Sequence, residues 1–373
     1  MAKYWQLSAT LAAVALAACQ PDQGITTPGT ELNALLNVGQ DSPGAVYTLT
    51  NQVSGNAVAV FKRDAGGSLV ADGIVSTGGT GTGGGLGSQG ALVLSQDGGH
   101  LFAVNAGSND VSAFRVDPSG LTLTSRVPSG GIQPTSLTVH GNLLYVLNAG
   151  SDGNISGFTI GQNGQLAPLA GSTRPLSGTA TRPAQVSFSP NGKWLIVTER
   201  ATNLIGVYAV NSAGLASGPV TYPSAGTTPF GFAFGHRNQL FVSEAGGSAS
   251  SYNFSADGHL TVISAAVATN QGAPCWLVVT KNGRYTYTAN AQGGTISGFS
   301  ITPSGAIASL DPDGATAVVG AGATDAALSG NGRFLYQLVR SDVLAFRIQA
   351  DGSLTPEGSV GGLPAGTVGL AAR

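Results

Sequence analysis

Two glutamates and three arginines are the residues of this chain whose chemistry is most suggestive. Glu199 and Glu244 each end a stretch that reads as a β-strand. Arg182, Arg200 and Arg340 lie at the borders of similar stretches. A carboxylate can serve as a general base, and a guanidinium binds a carboxylate or phosphate through paired hydrogen bonds. Together on one surface, they could hydrolyse a lactone or related ester, with the arginines holding an anionic substrate.

The two glutamates interrupt a repeated asparagine. The heptapeptide FAVNAGS, Phe102 to Ser108, returns almost unchanged as YVLNAGS, Tyr145 to Ser151. Counted along the chain, the shared position is assigned to Asn51, Asn105, Asn148, Glu199, Glu244, Asn290 and Arg340. An asparagine at a strand end commonly satisfies a turn through its own side chain. The glutamates break that pattern on neighbouring units, which makes them candidates for function.

The elements that would position these residues are short strands. Each repeat unit, roughly 48 residues long, contains four apolar stretches separated by turn residues, as a propeller blade requires. The chain contains 57 glycines and one methionine, a composition that favours turns over helices. The first unit lacks a leading strand, and the tail Leu363 to Arg373 resembles one. Residues 44–373 are therefore predicted to form an all-β, seven-bladed propeller of four-stranded antiparallel blades, with the C-terminal strand closing the first blade.

Strand direction then decides which residues share a face. Second strands end, and leading strands begin, on the same face of the disc. We place Gln133, Arg182, Thr228 and Asp325 at the starts of leading strands. The predicted ligand-binding set comprises Arg182, Arg200, Gln185, Asn148, Asn290, Trp276 and Arg340. Glu199 and Glu244 are the predicted catalytic residues.

The histidines offer no obvious metal site. They are His100, His140, His236 and His259. All fall at turns that strand direction places on the opposite face, on separate blades and without the close spacing of metal ligands. We therefore expect no metal and no cofactor. The glycine-rich stretch 78–87, GGTGTGGGLG, lacks the Lys-Ser or Lys-Thr of a phosphate loop. It is predicted to be a mobile loop over the mouth between the first two blades.

The N-terminus reads as an export signal. Its apolar run, Leu11 to Ala18, is about half the roughly 20 residues that span a membrane. The sequence Leu16-Ala17-Ala18-Cys19 looks like a bacterial lipobox. We predict a signal peptide over residues 1–18, lipidation of Cys19 and a tether over residues 19–43. The protein would be anchored by lipid to the bacterial cell envelope, facing the periplasm or the cell surface.

The repeat unit resembles a known family. A leading proline, an apolar run, and motifs such as PNGK and YVLN are similar to those of the seven-bladed lactonase propellers, which include 6-phosphogluconolactonases and carboxymuconate-lactonizing enzymes, and of the related YVTN surface propellers. The resemblance implies a mouth with histidine, glutamate and arginine, and Glu199 matches the family's glutamate. The position of the family's histidine is assigned here to Ser136, Gln185, Gly231, Trp276 and Ala326.

Two functions remain open from the sequence. The missing histidine and the export signal favour a binding module for a protein or glycan at the mouth or rim. Family resemblance and the paired carboxylates favour a metal-independent lactone hydrolase, with Glu199 or Glu244 as base and Arg182 or Arg200 binding the anion. Only 9% of residues are charged, with no basic run, so a nucleic-acid partner is not expected. A monomer is the expected state.

Overall fold

The computed structural model describes residues 44–373, which contain thirty strands and no helix. The predicted signal peptide, tether and Cys19 lie outside the described residues. The strands form seven antiparallel sheets, which we number as blades 1 to 7. This confirms the predicted propeller.

Blades 1 to 4 take up the first part of the described chain. Blade 1 contains β1 (Gly44–Leu49), β2 (Ala57–Arg63), β3 (Leu69–Ser76) and, from the far end of the chain, β30 (Val368–Ala372). Blade 2 contains β4 (Leu92–Leu94), β5 (His100–Asn105), β6 (Asp110–Asp117) and β7 (Gly120–Pro128). Blade 3 contains β8 (Pro134–His140), β9 (Leu143–Asn148), β10 (Asn154–Ile160) and a split outer strand, β11 (Leu166–Pro168) and β12 (Arg174–Pro175). Blade 4 contains β13 (Pro183–Phe188), β14 (Trp194–Glu199), β15 (Leu204–Val210) and β16 (Ala216–Pro223).

Blades 5 to 7 follow the same order. Blade 5 contains β17 (Pro229–Phe234), β18 (Gln239–Glu244), β19 (Ser248–Phe254) and β20 (Leu260–Ala268). Blade 6 contains β21 (Pro274–Val279), β22 (Tyr285–Asn290), β23 (Thr295–Ile301) and a split outer strand, β24 (Ile307–Ser309) and β25 (Ala317–Val318). Blade 7 contains β26 (Ala323–Leu328), β27 (Phe334–Val339), β28 (Asp342–Ile348) and β29 (Leu354–Val360).

The first strand of each blade is its inner strand. Inner strands of successive blades pack in the order β30, β4, β8, β13, β17, β21 and β26, and β26 packs against β30 again. This is a closed ring. β30 pairs with β1, and the backbones of Ala45 and Arg373 exchange hydrogen bonds of 3.4 and 2.9 Å. The predicted closure by the C-terminal strand is thus confirmed.

The core lies between blades rather than within one. Each second strand carries a buried aromatic or aliphatic residue at the same repeat position, namely Tyr47, Phe102, Tyr145, Ile196, Phe241, Tyr287 and Tyr336. The hydroxyl groups of three of these tyrosines donate to backbone carbonyls of the next blade, at Gly214, Gly352 and Gly67. A buried tyrosine needs such a partner, and here the partner fastens adjacent blades together.

Candidate functional site

The residues predicted to act together do lie on one face of the disc. In blades 3 to 6 the first residue of the inner strand, a proline, pairs with the last residue of the second strand, as in Pro183 with Glu199 and Pro229 with Glu244. Strand ends and strand starts therefore meet on one face, which we call the ring face.

The predicted ring is wrong at two of its seven positions. In blade 7, Ala323 pairs with Val339 as Pro183 pairs with Glu199, so Val339 holds the ring position. Arg340 therefore occupies the place that Arg200 has in blade 4. In blade 1 the pairing of Leu49 with Val58 and the hydrogen bond between the Thr50 amide and Ala57 put Thr50 in the ring position. Asn51 lies one residue beyond it.

The same register corrects the predicted position of Asp325. It does not begin its inner strand but is the third residue of β26, equivalent to Gln185 in β13. The position assigned to Ala326 from the sequence is therefore held by Asp325. The error arose because Ala323 stands where most other blades have a proline.

Glu199 is fully buried, and both oxygens of its carboxylate accept hydrogen bonds from segments that flank its own blade. Oε1 accepts a 3.0 Å hydrogen bond from the Ser177 amide. Oε2 accepts from the Ser177 hydroxyl and, at 2.8 Å, from the Thr202 hydroxyl. Ser177 belongs to the connection that enters blade 4, and Thr202 to the turn after β14. The carboxylate thus ties two connections together.

Glu244 has the same arrangement in blade 5. It is also fully buried, and its Oε1 accepts from the Ser224 hydroxyl at 3.0 Å and the Gly226 amide at 2.7 Å. Oε2 accepts from the Ser248 hydroxyl at 2.5 Å. A Cβ added to Gly226 would lie 2.1 Å from Oε2, so only glycine permits this approach. Both glutamates therefore accept three hydrogen bonds.

Asn148 and Asn290 lie in equivalent positions and are fully buried. Their Nδ2 atoms donate to side chains of the third strand, including the hydroxyls of Ser156 and Ser297. The Oδ1 atoms of both asparagines have no partner among the described residues. Neither asparagine presents its amide as an exposed binding group.

Arg200 differs from these ring residues. It is 8% exposed, and its Nε donates to the backbone oxygen of Arg182 at 3.1 Å. Its guanidinium carbon lies 5.4 Å from the centre of the Phe230 ring, a cation–π contact. Within residues 44–373, Nη1 and Nη2 have no hydrogen-bond acceptor and no carboxylate partner. Burial, together with the charge of Arg182, lowers the pKa of Arg200 to about 10, so it remains charged at neutral pH.

The other predicted arginines are exposed. Arg182 is on the same blade as Arg200 and has a left-handed backbone conformation, with a φ of 50°. Arg340 has the same conformation on blade 7 and donates its Nε to the Ala321 oxygen at 2.9 Å. The structure thus brings Arg182 and Arg200 together and leaves Arg340 three blades away.

The connection from blade 1 to blade 2 crosses the axis at this face. Leu86 to Gln89, which we call the axial segment, contacts blades 3 to 6. The Ser88 hydroxyl donates to the Thr135 oxygen at 2.8 Å, and the Trp276 indole donates to the Ser88 oxygen at 2.9 Å. The Gln89 side chain forms two 2.8 Å hydrogen bonds with the backbone of Leu277.

The rest of this connection is also fastened. Asn51 donates from Nδ2 to the Gly84 oxygen at 2.6 Å and accepts from the Thr82 amide at 3.0 Å. The expected mobile loop is therefore hydrogen-bonded at several points. Gly87 approaches the guanidinium of Arg200 so closely that an added Cβ would lie 2.9 Å from Nη1.

Gln185 and Trp276 serve contacts between blades. Gln185 exchanges two hydrogen bonds with the Phe232 backbone of blade 5, at 2.7 and 3.0 Å. Trp276 is 2% exposed and packs edge-on against Phe230, with ring centres 4.9 Å apart. Both residues support the axial region without offering a free surface.

A family model described as the seven-bladed β-propeller lactonase matches residues 45–179 and 237–319, more than half of the chain. The chain belongs to the seven-bladed lactonase propeller family.

Individual relatives are more distant. A 6-phosphogluconolactonase of Yersinia pestis is 27% identical over 119 residues, which is 31% of this chain and 35% of that protein. The match thus spans about a third of that relative's length. A Bacteroides fragilis structure provisionally named a 6-phosphogluconolactonase superposes with a TM-score of 0.73 at 22% identity, covering 90% of this chain and 99% of that one. A periplasmic gluconolactonase of Pseudomonas aeruginosa gives a TM-score of 0.69 at 19% identity, covering 87% and 98%. At such identities the structures show a shared fold.

Within this lactonase-family fold, the histidines lie away from the ring face. His140 and His236 are at the turns between first and second strands, beside Gly192 and Gly283 of the next blade. The described residues contain no cluster of histidine, cysteine or acidic side chains able to hold a metal ion. They also contain no helix long and apolar enough to span a membrane.

The sequence places residues 78–87 over the mouth, but it does not predict the contacts of Ser88 and Gln89 with distant blades. The sequence contains one trace of the Gln89 contact: Gly231 stands where the equivalent residues Ser136, Gln185 and Trp276 have side chains. A Cβ added to Gly231 would lie 2.1 Å from the Gln89 Oε1. A small residue in one blade makes room for a glutamine from a distant connection, and a single sequence does not reveal such pairing.

Proposed function

We propose that this lactonase-family propeller is a binding protein that holds an acidic ligand on its ring face, with the guanidinium of Arg200 as the anchor. The observation that carries the proposal concerns the two terminal nitrogens of Arg200, Nη1 and Nη2. The residue is 8% exposed, and neither nitrogen has a hydrogen-bond acceptor among the described residues. A buried charge that lacks an anionic partner and leaves donors unpaired is costly, and a bound anion would offset that cost.

The form of the anchor indicates the ligand class. A guanidinium offers two parallel donors that match the two oxygens of a carboxylate or phosphate. The nearby charge of Arg182 adds to the attraction for an anion. A carboxylate or phosphate group on a small molecule, a glycan or a protein would satisfy this site.

The two glutamates support binding over hydrolysis. A general base needs an oxygen within reach of the proton it removes. In Glu199 and Glu244 the carboxylate oxygens already accept hydrogen bonds from connections of their own blades. Glu199 and Arg200 are neighbours in sequence, yet one side chain bonds within the blade while the other lies against Phe230 and Gly87.

A second candidate is lactone hydrolysis, which family membership and the names of the relatives favour. In that case Glu199 or Glu244 would serve as base, while Arg182 and Arg200 would bind the anionic substrate. The proximity of these two arginines is the observation in its favour. Such a reaction would require one of the glutamates to exchange its present partners for water or substrate.

Location and assembly form part of the proposal. The lipobox ending in Cys19 supports an exported protein, anchored by lipid to the bacterial envelope and facing the periplasm or the surface. We propose a monomer whose partner is a protein, a glycan or a small acid or lactone, and not a nucleic acid.

The test compares anion binding by the full chain and two variants in mild detergent. Gluconate and inorganic phosphate are the probes, and isothermal titration is the measurement. Wild type should bind at least one probe, and Arg200→Gln should bind it at least about tenfold more weakly, because a charge-assisted pair contributes about 1.5 to 3 kcal/mol. Arg237→Gln, on the opposite face, is the matched control and should bind like wild type. Equal binding by Arg200→Gln, or no binding of either probe by wild type, would contradict the proposal.

A further inference from the structure

A carboxyl group is buried at the junction that closes the ring. Asp325 lies on the inner strand of blade 7 and is 3% exposed. Its Oδ2 accepts a 2.9 Å hydrogen bond from the Gly369 amide in β30. β30 follows blade 7 in the chain and closes the ring by pairing with β1 and packing against β4, while its other side packs against β26. Asp325 therefore contributes a direct polar contact to closure.

Equivalent positions in other blades use neutral groups. The Ser136 hydroxyl accepts from the Val186 amide at 3.2 Å, between blades 3 and 4. The Gln185 amide oxygen accepts from the Phe232 amide at 2.7 Å, between blades 4 and 5. An uncharged acceptor thus suffices for this contact, and Asp325 is an ionisable version of it.

No charged side chain faces Asp325. The strands packed against β26 are β21, β22, β27 and β30, and none of them contains aspartate, glutamate, histidine, lysine or arginine. Their tyrosines point elsewhere: the hydroxyls of Tyr285, Tyr287 and Tyr336 donate to the backbone oxygens of Ala350, Gly352 and Gly67. Burial without a counter-charge raises the pKa of Asp325 to about 7, although the Gly369 amide opposes the shift.

We propose that protonation of Asp325 controls how firmly the C-terminal strand closes the ring, so that the closure loosens as the surroundings become less acidic. Protonated, the side chain accepts from Gly369 as a neutral group. Ionised, it places an unpaired charge in the core of the junction, and opening of β30 lets water reach that charge.

The direction follows from linkage. In the opened state the carboxyl has an ordinary pKa of about 3.9, and in the closed state about 7. Between these values the closed state retains a proton that the opened state releases, so opening becomes more favourable as the pH rises. Full stabilisation is present below about pH 4, and it is lost by about pH 7, above which the profile is level.

The experiment is hydrogen exchange of the full chain in mild detergent, followed by mass spectrometry from pH 5 to pH 9. Rates are corrected for intrinsic exchange, and the readout is the opening of β30 at residues 368–372. In wild type, opening should increase by up to about tenfold per pH unit until about pH 7 and then level off. In Asp325→Asn, which retains an acceptor for Gly369, the profile should be flat.

β17 is the internal control, because the neutral Gln185 holds it and its exchange should not follow this curve. Gln185→Glu is the reciprocal variant, and it should give β17 a pH-dependent opening of its own. This variant keeps the test decisive if Asp325→Asn does not fold. A flat wild-type profile, an unchanged slope in Asp325→Asn, or the same slope in wild-type β17 would overturn the proposal.

Discussion

Two adjacent charged residues, Glu199 and Arg200, are both buried but differ in how fully they are hydrogen-bonded. Glu199 is fully buried with a donor for every oxygen, whereas Arg200 is nearly buried with an empty fork. The hydrogen-bonded carboxylate ties two connections together, whereas the unpaired donors of the guanidinium are the ones that the proposed anion would fill. At this scale the arginine, not the glutamate, is the stronger functional candidate.

We predict that Glu199→Gln lowers stability and leaves lactone chemistry unchanged. The three groups that donate to the Glu199 carboxylate would then face an amide with a single acceptor atom. We expect the free energy of unfolding to fall by about 1 to 3 kcal/mol. Urea unfolding gives the stability. Acid release from gluconolactone, above the rate in buffer, gives any turnover.

Glu357→Gln is the control for that substitution. Glu357 pairs with Arg347 at 2.5 Å, but its side chain is 23% exposed, and the loss should stay under about 1 kcal/mol. If the wild-type protein hydrolyses the lactone and a folded Glu199→Gln variant does not, the hydrolase alternative is favoured.

At the scale of elements, the axial segment supplies a hydrogen-bond acceptor that blade 5 lacks, because Gly231 has no side chain. Gly231 cannot reach the next inner strand, and Gln89 supplies the acceptor for the Leu277 amide from across the axis. It also donates to the Leu277 oxygen. A connection between blades 1 and 2 thus completes the hydrogen bonding of blade 6.

A double-mutant cycle tests this pairing. Gln89→Ala should cost about 1 to 3 kcal/mol, because it leaves two backbone groups of Leu277 unpaired. Gly231→Ala should also destabilise, since its Cβ would lie 2.1 Å from the Gln89 Oε1 and 2.7 Å from the Cys275 backbone oxygen; removing the Gln89 side chain relieves only the first of these contacts. The double variant should lose less than the sum of the two, with a coupling of about 0.5 to 3 kcal/mol.

Unfolding by urea measures each member of that cycle. Tyr145→Phe, which removes a hydrogen bond to Gly214 between blades 3 and 4, should add independently to Gln89→Ala. Additive losses for Gln89 and Gly231 would show that the two positions do not interact.

At the scale of the whole molecule, stability depends on closure. The inner strands form an unbroken ring only because β30 lies between β26 and β4, where it pairs with β1. Without β30, β1 would present an unpaired backbone edge, and β4 and β26 would lose an inner strand that packs against them. An open strand edge promotes aggregation.

Removal of residues 363–373 should therefore abolish the cooperative unfolding transition or cause aggregation. Heat-induced unfolding followed by circular dichroism is the measurement. A synthetic peptide of residues 363–373 should restore a transition when added in excess, and a scrambled peptide should not. A truncated protein with the wild-type transition would show that closure contributes little.

The sequence by itself determined the architecture, because period and turn residues are local properties. Repeated apolar stretches, regular turns and a tail resembling a missing strand were enough for seven blades and their closure. The face of the histidines followed from strand direction alone. The predicted register was wrong at Asn51, Arg340 and Asp325, all in the terminal blades. There Thr50 and Val339 hold the ring positions, and Ala323 begins the inner strand, so the usual asparagine and proline do not mark these places.

Only the tertiary structure decided which charged side chains are fully hydrogen-bonded and which have unpaired donors. Glu199 and Arg200 look equally available in a sequence, yet Ser177, the partner of Glu199, comes from the connection before blade 4, and Phe230, the partner of Arg200, comes from the inner strand of blade 5. The axial segment and the Asp325 junction likewise join residues far apart in the chain. Hydrogen bonding and desolvation depend on neighbours in space, and the periodicity of a single chain specifies faces without specifying those neighbours.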